Sequence, residues 1–145
     1  MLDLHNHSLP GLDDGASDWE ESLKMARMAL EDGIKGIVCT PHYVPEAFEN
    51  KRPRVMEVLD EFRRRLREEN ILLDIFPGAE LRLDTDMPQR IISKELLSIN
   101  DTGTFALIEL PADTMLQNME DFLWVPWGKS HFRLECFAQN LSILY

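Results

Sequence analysis

Apolar and polar residues follow one another along this chain in a pattern that predicts strands and helices in alternation. Residues 1–4 form a short apolar run that predicts a strand. Apolar positions at the helical period over residues 19–30 predict a helix that begins after a cap at Ser17 and ends at Gly33. A second apolar run follows at 34–39. Because strand, helix and strand follow one another directly, the pattern predicts a βαβ unit and a parallel sheet.

The alternation continues after this unit. Pro53 suits the first turn of a second helix, in which Val55, Leu59, Phe62 and Leu66 recur at the helical period. The remaining predicted elements are strands at 71–76 and 105–110, short helices at 88–97 and 115–123, and an irregular loop at 43–52. The fold class that follows is α/β.

Composition limits the classes of function. With 145 residues and 44% hydrophobic residues, the chain fits one domain with a real core. Its formal net charge of -11 argues against free nucleic acid as a partner, because nucleic-acid binding usually needs a basic face. No apolar run approaches the roughly 20 residues that span a bilayer, and no basic leader precedes the first strand, so no membrane insertion is expected. Cys39 and Cys136 make no disulfide framework, and a reducing cytoplasm is the expected location.

Histidines and carboxylates follow the predicted strands. His5 and His7 stand at i and i+2, so an extended backbone directs both imidazoles to one side. Each group alone also has a plain structural interpretation as a polar strand end, a turn residue or a loop cap. A glutamate inside the buried run 105–110 is costlier, because a buried charge must be paired or bound to a metal. The other groups in question are Asp14 in Asp13-Asp14-Gly15, His42 after Thr40-Pro41, Glu80 after Pro77-Gly78, and Glu109.

Together these groups indicate a metal centre. In parallel α/β folds, ligands bind at the carboxyl ends of the strands, and this is where the groups fall. Imidazole with carboxylate suits Zn, Mn or Fe, and the large share of carboxylate favours Mn or Fe. More than four ligands imply more than one ion, and a multi-metal site can activate water and clamp an in-line displacement at phosphorus. The reaction class predicted from the residues is phosphoester hydrolysis.

These motifs also resemble a known family, the bacterial PHP-type (polymerase and histidinol phosphatase) protein-tyrosine phosphatases, which are manganese-dependent enzymes of capsule and exopolysaccharide operons. The resemblance covers about residues 1–123. The matching stretches, in order, are MLDLHNHSLPGLDDGA, EESLKMAR, GIKGIVCTPH, PGAELR, LSIND and LIELP.

The resemblance implies the N-terminal part of a distorted (β/α) TIM-like barrel, the PHP domain, with up to three Mn²⁺ ions; Fe or Zn remain alternatives. It implies hydrolysis of phosphotyrosine by a metal-bound hydroxide, without a covalent enzyme intermediate, and Glu80 as a bridging carboxylate. Arg82 is either a phosphate-binding residue or an exposed arginine beside a turn. The implied partner is the phosphotyrosine tail of a bacterial tyrosine kinase. The ligand roles carried over fall on His5, His7, Asp14, His42, Glu80 and Glu109.

The cysteines separately exclude the thiol-based phosphatases, which need Cys-x5-Arg. Pro45 stands six positions after Cys39, and Ser142 stands six positions after Cys136.

The chain departs from the family pattern after residue 123. The family continues with a His-Pro-Glu-Arg strand end and a late Asp-x-His pair, and residues 124–145 contain neither, so we expect an incomplete barrel with an aberrant tail and reduced or no activity. His131 has no matching context and is not predicted as a ligand. Two other functions remain open: a PHP phosphoesterase acting on a small molecule such as histidinol phosphate, and a non-catalytic metal-binding fragment.

Overall fold

The protein is an α/β fold, as the alternation predicts. The computed structural model describes residues 1–110 and the backbone of the strand at 133–136. The predicted helix at 115–123, His131 and the rest of the tail apart from this strand lie outside the described residues. The described elements are β1 (Leu2–Asn6), α1 (Trp19–Glu31), β2 (Gly36–Cys39), β3 (His42–Val44), β4 (Phe48–Glu49), α2 (Arg52–Glu68), β5 (Asp74–Pro77), β6 (Glu80–Arg82), α3 (Met87–Ile92), a 3-10 turn (Ile99–Asp101), β7 (Phe105–Glu109) and β8 (Arg133–Cys136).

The strands form two sheets in the described part of the chain. The first has the order β1-β2-β5 and is parallel throughout. The second has the order β4-β3-β6-β7-β8 and is parallel except for the β3-β4 pair. The predicted parallel pairing of the first two strands is confirmed by the β1-β2 register.

Two runs of extended chain pass from the first sheet to the second. One crosses at Thr40-Pro41, between β2 and β3, where proline has no N–H to continue a ladder. The other crosses at Gly78-Ala79, between β5 and β6. A Cβ on Gly78 would lie 2.7 Å from Val38 Cγ1, so only glycine allows this close approach. Each crossing brings a candidate ligand, His42 or Glu80, to the first position of a strand in the second sheet.

Helix α1 begins one residue later than the sequence predicts. Asp18, rather than Ser17, is the N-cap, and its carboxylate accepts the Glu21 N–H at 2.9 Å. Glu21 in turn accepts hydrogen bonds from the backbone N–H and the hydroxyl of Ser17. A carboxylate at this position accepts a free amide of the first turn and places its negative charge at the positive end of the helix.

The predicted end of α1 at Gly33 is confirmed. Gly33 has a φ of 78° and donates its N–H to Leu30, while Ile34 donates to Ala29. This is the Schellman arrangement, in which a left-handed residue closes the last turn. The stripe predicted for α2 is also confirmed, because all four of its apolar residues are buried. Phe62, which is 0% exposed, is the largest of them.

The predicted loop at 43–52 is wrong, because this segment contains β3 and β4. Tyr43 is buried, and its strand pairs on one side with β4 and on the other with β6. The Asn50 side chain donates to the carbonyls of Leu12 and His42 and so fixes the segment to the rest of the fold. Helix α3 ends at Ile92, earlier than predicted, with Lys94 at a φ of 62°. Within the described residues, no helix is long and apolar enough to cross a bilayer.

Candidate metal centre

Four candidate ligands meet where the first sheet gives way to the second. His5 lies near the end of β1 and His7 directly after it, while His42 and Glu80 open β3 and β6. His42 and Glu80 are register partners on adjacent parallel strands. Because parallel strands place register partners side by side, these two side chains enter the same space. The sequence prediction that His5, His7, His42 and Glu80 lie together is therefore matched by the geometry.

One carboxylate oxygen lies at the centre of this group. Glu80 Oε2 is 3.0 Å from His5 Nε2, 3.2 Å from His7 Nε2 and 3.3 Å from His42 Nδ1. The Glu80 side chain is 2% exposed. A buried carboxylate surrounded by three imidazoles is well placed either to neutralise protonated histidine or to share a cation with neutral histidine.

The donor atoms fit a bound cation. His5 Nε2 and His7 Nε2 face each other at 3.0 Å. Ligands about 2.1 Å from one ion lie about 3.0 Å apart at an octahedral angle and about 3.4 Å apart at a tetrahedral angle, and the separations here are 3.0 to 3.3 Å. His42 Nδ1 is buried, and within the described residues it has no hydrogen-bond partner despite its nearness to Glu80. A buried ring nitrogen left in this way is chemically suited to a metal ion.

Two triads of donors lie within the reach of single ions. His5, His7 and Glu80 form the first, and His7, Asp14 and His42 form the second, each with donor atoms within 4.8 Å of one another. Asp14 is the most open member, with a side chain that is 72% exposed and an Oδ1 atom 3.6 Å from His42 Nε2. The shared residue His7 lies between the two triads.

Glu109 and Arg82 are bound to each other. They are register partners on β7 and β6, and the guanidinium donates to both carboxylate oxygens, at 3.1 and 2.9 Å. Glu109 Oε2 is also 3.6 Å from His42 Nδ1, so this carboxylate lies at the border of the site. The strand misfit in the sequence is thus resolved by an ion pair, and the suggested phosphate contact of Arg82 stays a prediction.

Asp13 is a site residue that the sequence analysis passed over in favour of Asp14. Its side chain is fully buried, and its Oδ2 atom is 2.7 Å from His7 Nδ1. Oδ2 also accepts the His42 N–H at 2.9 Å, and Oδ1 accepts the Gly15 N–H at 3.0 Å. The glycine two positions after Asp13 was a usable signal, because Asp-x-Gly is typical of a turn in which the aspartate accepts the N–H two residues on.

Ionisation in the site follows from these contacts. Burial on its own would lower the pKa of His7, but hydrogen bonds and charges from Asp13 and Glu80 raise that pKa to about 9. Burial would raise the pKa of Glu80, but hydrogen bonds from His5 and His7 and the nearby imidazole charges lower it to about 2. Asp13 is likewise buried, and the donors around it lower its pKa. Without a bound metal ion, protonated His7 and the ionised carboxylates therefore stabilise each other as a charged cluster.

An α/β fold with imidazoles and a shared carboxylate at parallel strand ends defines a candidate metal-dependent hydrolase. The chain belongs to the family described as "Capsular polysaccharide synthesis, CpsB/CapC", which matches residues 1–124. It is 39% identical to the tyrosine-protein phosphatase YwqE of Bacillus subtilis (strain 168), in an alignment that covers 100% of this chain and 59% of YwqE. It is 31% identical to the tyrosine-protein phosphatase CpsB of Streptococcus pneumoniae, over 79% of this chain and 46% of CpsB.

A solved structure is similar as well. It comes from a study of YwqE from Bacillus subtilis and CpsB from Streptococcus pneumoniae, described as unique metal-dependent tyrosine phosphatases. The match has a TM-score of 0.80 at 39% identity, and it covers 85% of this chain and 49% of that chain. The chain therefore spans less than two thirds of the length of the relatives it matches.

Proposed function

We propose that the protein is a metal-dependent phosphatase that hydrolyses phosphotyrosine in proteins. The observation that carries the proposal is Glu80 Oε2, which is buried and lies 3.0 to 3.3 Å from nitrogens of three histidines. Such a cluster suits divalent ions. The choice of phosphotyrosine as the substrate is supported by the relatives, which are named tyrosine phosphatases.

The ion-binding residues in this proposal are those of the two triads together with Glu109. Manganese is the proposed metal because carboxylates make up half of the six donors, and Fe or Zn are the alternatives. Divalent ions, when bound, would lower the pKa of a water molecule and supply positive charge beside the phosphate. The proposed ligands are His5, His7, Asp14, His42, Glu80 and Glu109.

The chain's own residues have separate roles. Glu80 holds three imidazoles around one oxygen atom, which keeps their nitrogens directed at the same point. Asp14, the most exposed of the group, lies on the open side by which a phosphate would enter. Arg82 is half-buried and holds Glu109 by two hydrogen bonds, and a guanidinium at this border suits a contact with a phosphate oxygen.

The proposal extends to partner, location and architecture. The phosphotyrosine tail of a bacterial tyrosine kinase is the proposed substrate, and the cytoplasm is the proposed location. Residues 1–123 are proposed as the metallophosphatase portion, the N-terminal part of a distorted TIM-like barrel. The turn of the chain from one sheet to another at Thr40-Pro41 and Gly78-Ala79 supports a curved arrangement of this kind.

The proposal is tested by hydrolysis with and without added Mn²⁺. A phosphotyrosine peptide and histidinol phosphate serve as competing substrates for the wild-type chain and for Glu80→Gln. We expect Mn²⁺-dependent release of phosphate, faster from the peptide, and a loss of at least about 100-fold in Glu80→Gln, since a central ligand has lost its charge. Asp60→Asn is the matched control, because Asp60 is 67% exposed on α2.

The outcomes separate the alternatives. Preference for histidinol phosphate would favour a small-molecule phosphoesterase. Binding of Mn²⁺ without hydrolysis of either substrate would favour a non-catalytic metal-binding protein. Full activity of Glu80→Gln would contradict the assignment of the site.

A further inference from the structure

The loop over residues 8–17 closes back onto His7, and this contact is unusually tight. Ala16 donates its N–H to the His7 carbonyl at 3.0 Å, and Gly11 donates to the Ala16 carbonyl at 3.0 Å. A Cβ on Gly15 would lie 2.2 Å from the His7 carbonyl oxygen and 2.4 Å from its Cβ. Only glycine fits at this position, so the loop is held in one place against the histidine.

This loop delivers a single buried carboxylate that accepts three N–H groups. Asp13 receives the Nδ1–H of His7, the backbone N–H of His42 and the backbone N–H of Gly15. An ionised carboxylate only accepts hydrogen bonds, so these three contacts require the ring proton of His7 to be on Nδ1. The opposite nitrogen, Nε2, then points at His5 and Glu80 with its lone pair available once its own proton has left.

We infer that Asp13 is the positioning residue of the metal centre, orienting His7 through Nδ1 and fixing the first residue of β3 through the His42 N–H. The inference rests on the proposed metal site. One carboxylate thereby places ligands from two distant segments, since His7 and His42 are bound by the same oxygen atom. Carboxylates that orient metal-binding histidines in this way typically change affinity or activity by about 10- to 100-fold when removed.

Asp13 and its neighbour Asp14 have separate roles in this arrangement. Asp14 is 72% exposed and faces His42 from the solvent side, as a ligand would. Asp13 is fully buried and contacts the far side of the His7 ring. Two adjacent residues of one turn therefore differ in role: Asp14 is a ligand, and Asp13 positions the ligand His7.

The test uses Asp13→Asn in the full chain. Asparagine has the same shape, but its amide nitrogen donates, so it must oppose at least one of the three N–H groups. We expect the affinity for Mn²⁺, measured by calorimetry, to fall about 10- to 100-fold. The control is Asp101→Asn, which removes a carboxylate bound by Arg52 and Lys94 away from the site and should leave the affinity within about twofold.

A second readout reports orientation rather than affinity. In ¹⁵N-histidine-labelled wild-type protein, with and without diamagnetic Zn²⁺, we expect a slowly exchanging Nδ1–H signal from His7. That signal should disappear in Asp13→Ala, which leaves Nδ1 without its acceptor, and persist in Asp101→Asn. A folded wild-type protein that carries the His7 proton on Nε2 in the Zn²⁺ complex would overturn the inference without any variant.

The outcomes distinguish this inference from the proposed function. Unchanged Mn²⁺ affinity in Asp13→Asn, or an unchanged His7 signal in Asp13→Ala, would overturn the positioning role. A wild-type protein that binds neither ion would overturn the proposed function, while loss of the His7 signal in Asp13→Ala would still support the orientation by Asp13.

Discussion

The charged state of His7 predicts that metal binding depends steeply on pH. His7 has a pKa of about 9 and is therefore protonated at neutral pH, yet an ion can bind Nε2 only after that proton has left. The apparent affinity for Mn²⁺ should rise about tenfold between pH 7 and 8, which is about 1.4 kcal/mol, and about fivefold between pH 8 and 9. Over both units the gain is about 50-fold, or roughly 2.3 kcal/mol, because half of the His7 rings are still protonated at pH 9, and it levels off above the pKa.

The free energy of unfolding of the metal-free protein, kept so by a chelator, should change in the opposite direction and fall as pH rises. A raised histidine pKa stabilises the fold fully below the unfolded value of 6.5, and this stabilisation is lost as pH rises through about 9. The lowered pKa of Glu80 stabilises the fold above 4.5, and that part is lost as pH falls towards about 2. The two shifts describe one shared interaction and are not added, so the expected loss between pH 6.5 and 9 is at most about 3 kcal/mol.

Two measurements check this reasoning. Calorimetric titration with Mn²⁺ at pH 7.5, in two buffers of different ionisation enthalpy, should show the release of about one proton from His7 per protein molecule when the site fills. Urea unfolding of the chelated protein should give lower stability at pH 8.5 than at pH 6.5. The control Asp101→Asn should leave unchanged both the proton release on Mn²⁺ binding and the fall in unfolding free energy between pH 6.5 and 8.5. An affinity that does not vary with pH, together with no proton release, would refute the charged His7–Glu80 cluster.

Two further predictions follow from packing. Gly15→Ala should weaken Mn²⁺ binding and lower the midpoint of thermal unfolding, because the new Cβ overlaps the His7 carbonyl. The expected loss of stability is about 1–3 kcal/mol. An unchanged Mn²⁺ affinity and an unchanged midpoint would contradict the described loop. Phe62→Ala should lower the free energy of urea unfolding by about 3–5 kcal/mol, because Phe62 is fully buried. The control Ile92→Ala, at a position 52% exposed, should lower it much less. Equal losses in the two variants would count against the described core.

Much of the fold and part of the site could be predicted from local pattern. The α2 stripe and the glycine that ends α1 depend on neighbours within one helix, so helical spacing and one special residue were sufficient. His5 and His7 were predictable in the same way, because two residues at i and i+2 on a strand share a side. Glu80 required only the expectation that strand ends meet at one edge of a sheet.

The features that were missed depend on contacts between distant segments. Strands β3 and β6 have three residues each, too few for a periodic pattern, and they exist because they pair with each other. The Asp-x-Gly spacing marks Asp13 as a turn acceptor, but its part in the site depends on its contacts with the His7 ring and with the His42 N–H 29 positions away. The shift of the α1 cap from Ser17 to Asp18 reflects two good capping residues in competition, which pattern alone does not rank.

The meeting of three histidines at Glu80 has a consequence for how the protein assembles. Glu80 and His5 are 75 positions apart, and the unfolded chain has no reason to bring them together. A cation held by this group would therefore recognise the assembled chain and scarcely the extended one, and it would shift the folding equilibrium by mass action. Metal supply would then govern how much of the protein is present in its native form as well as how fast it works.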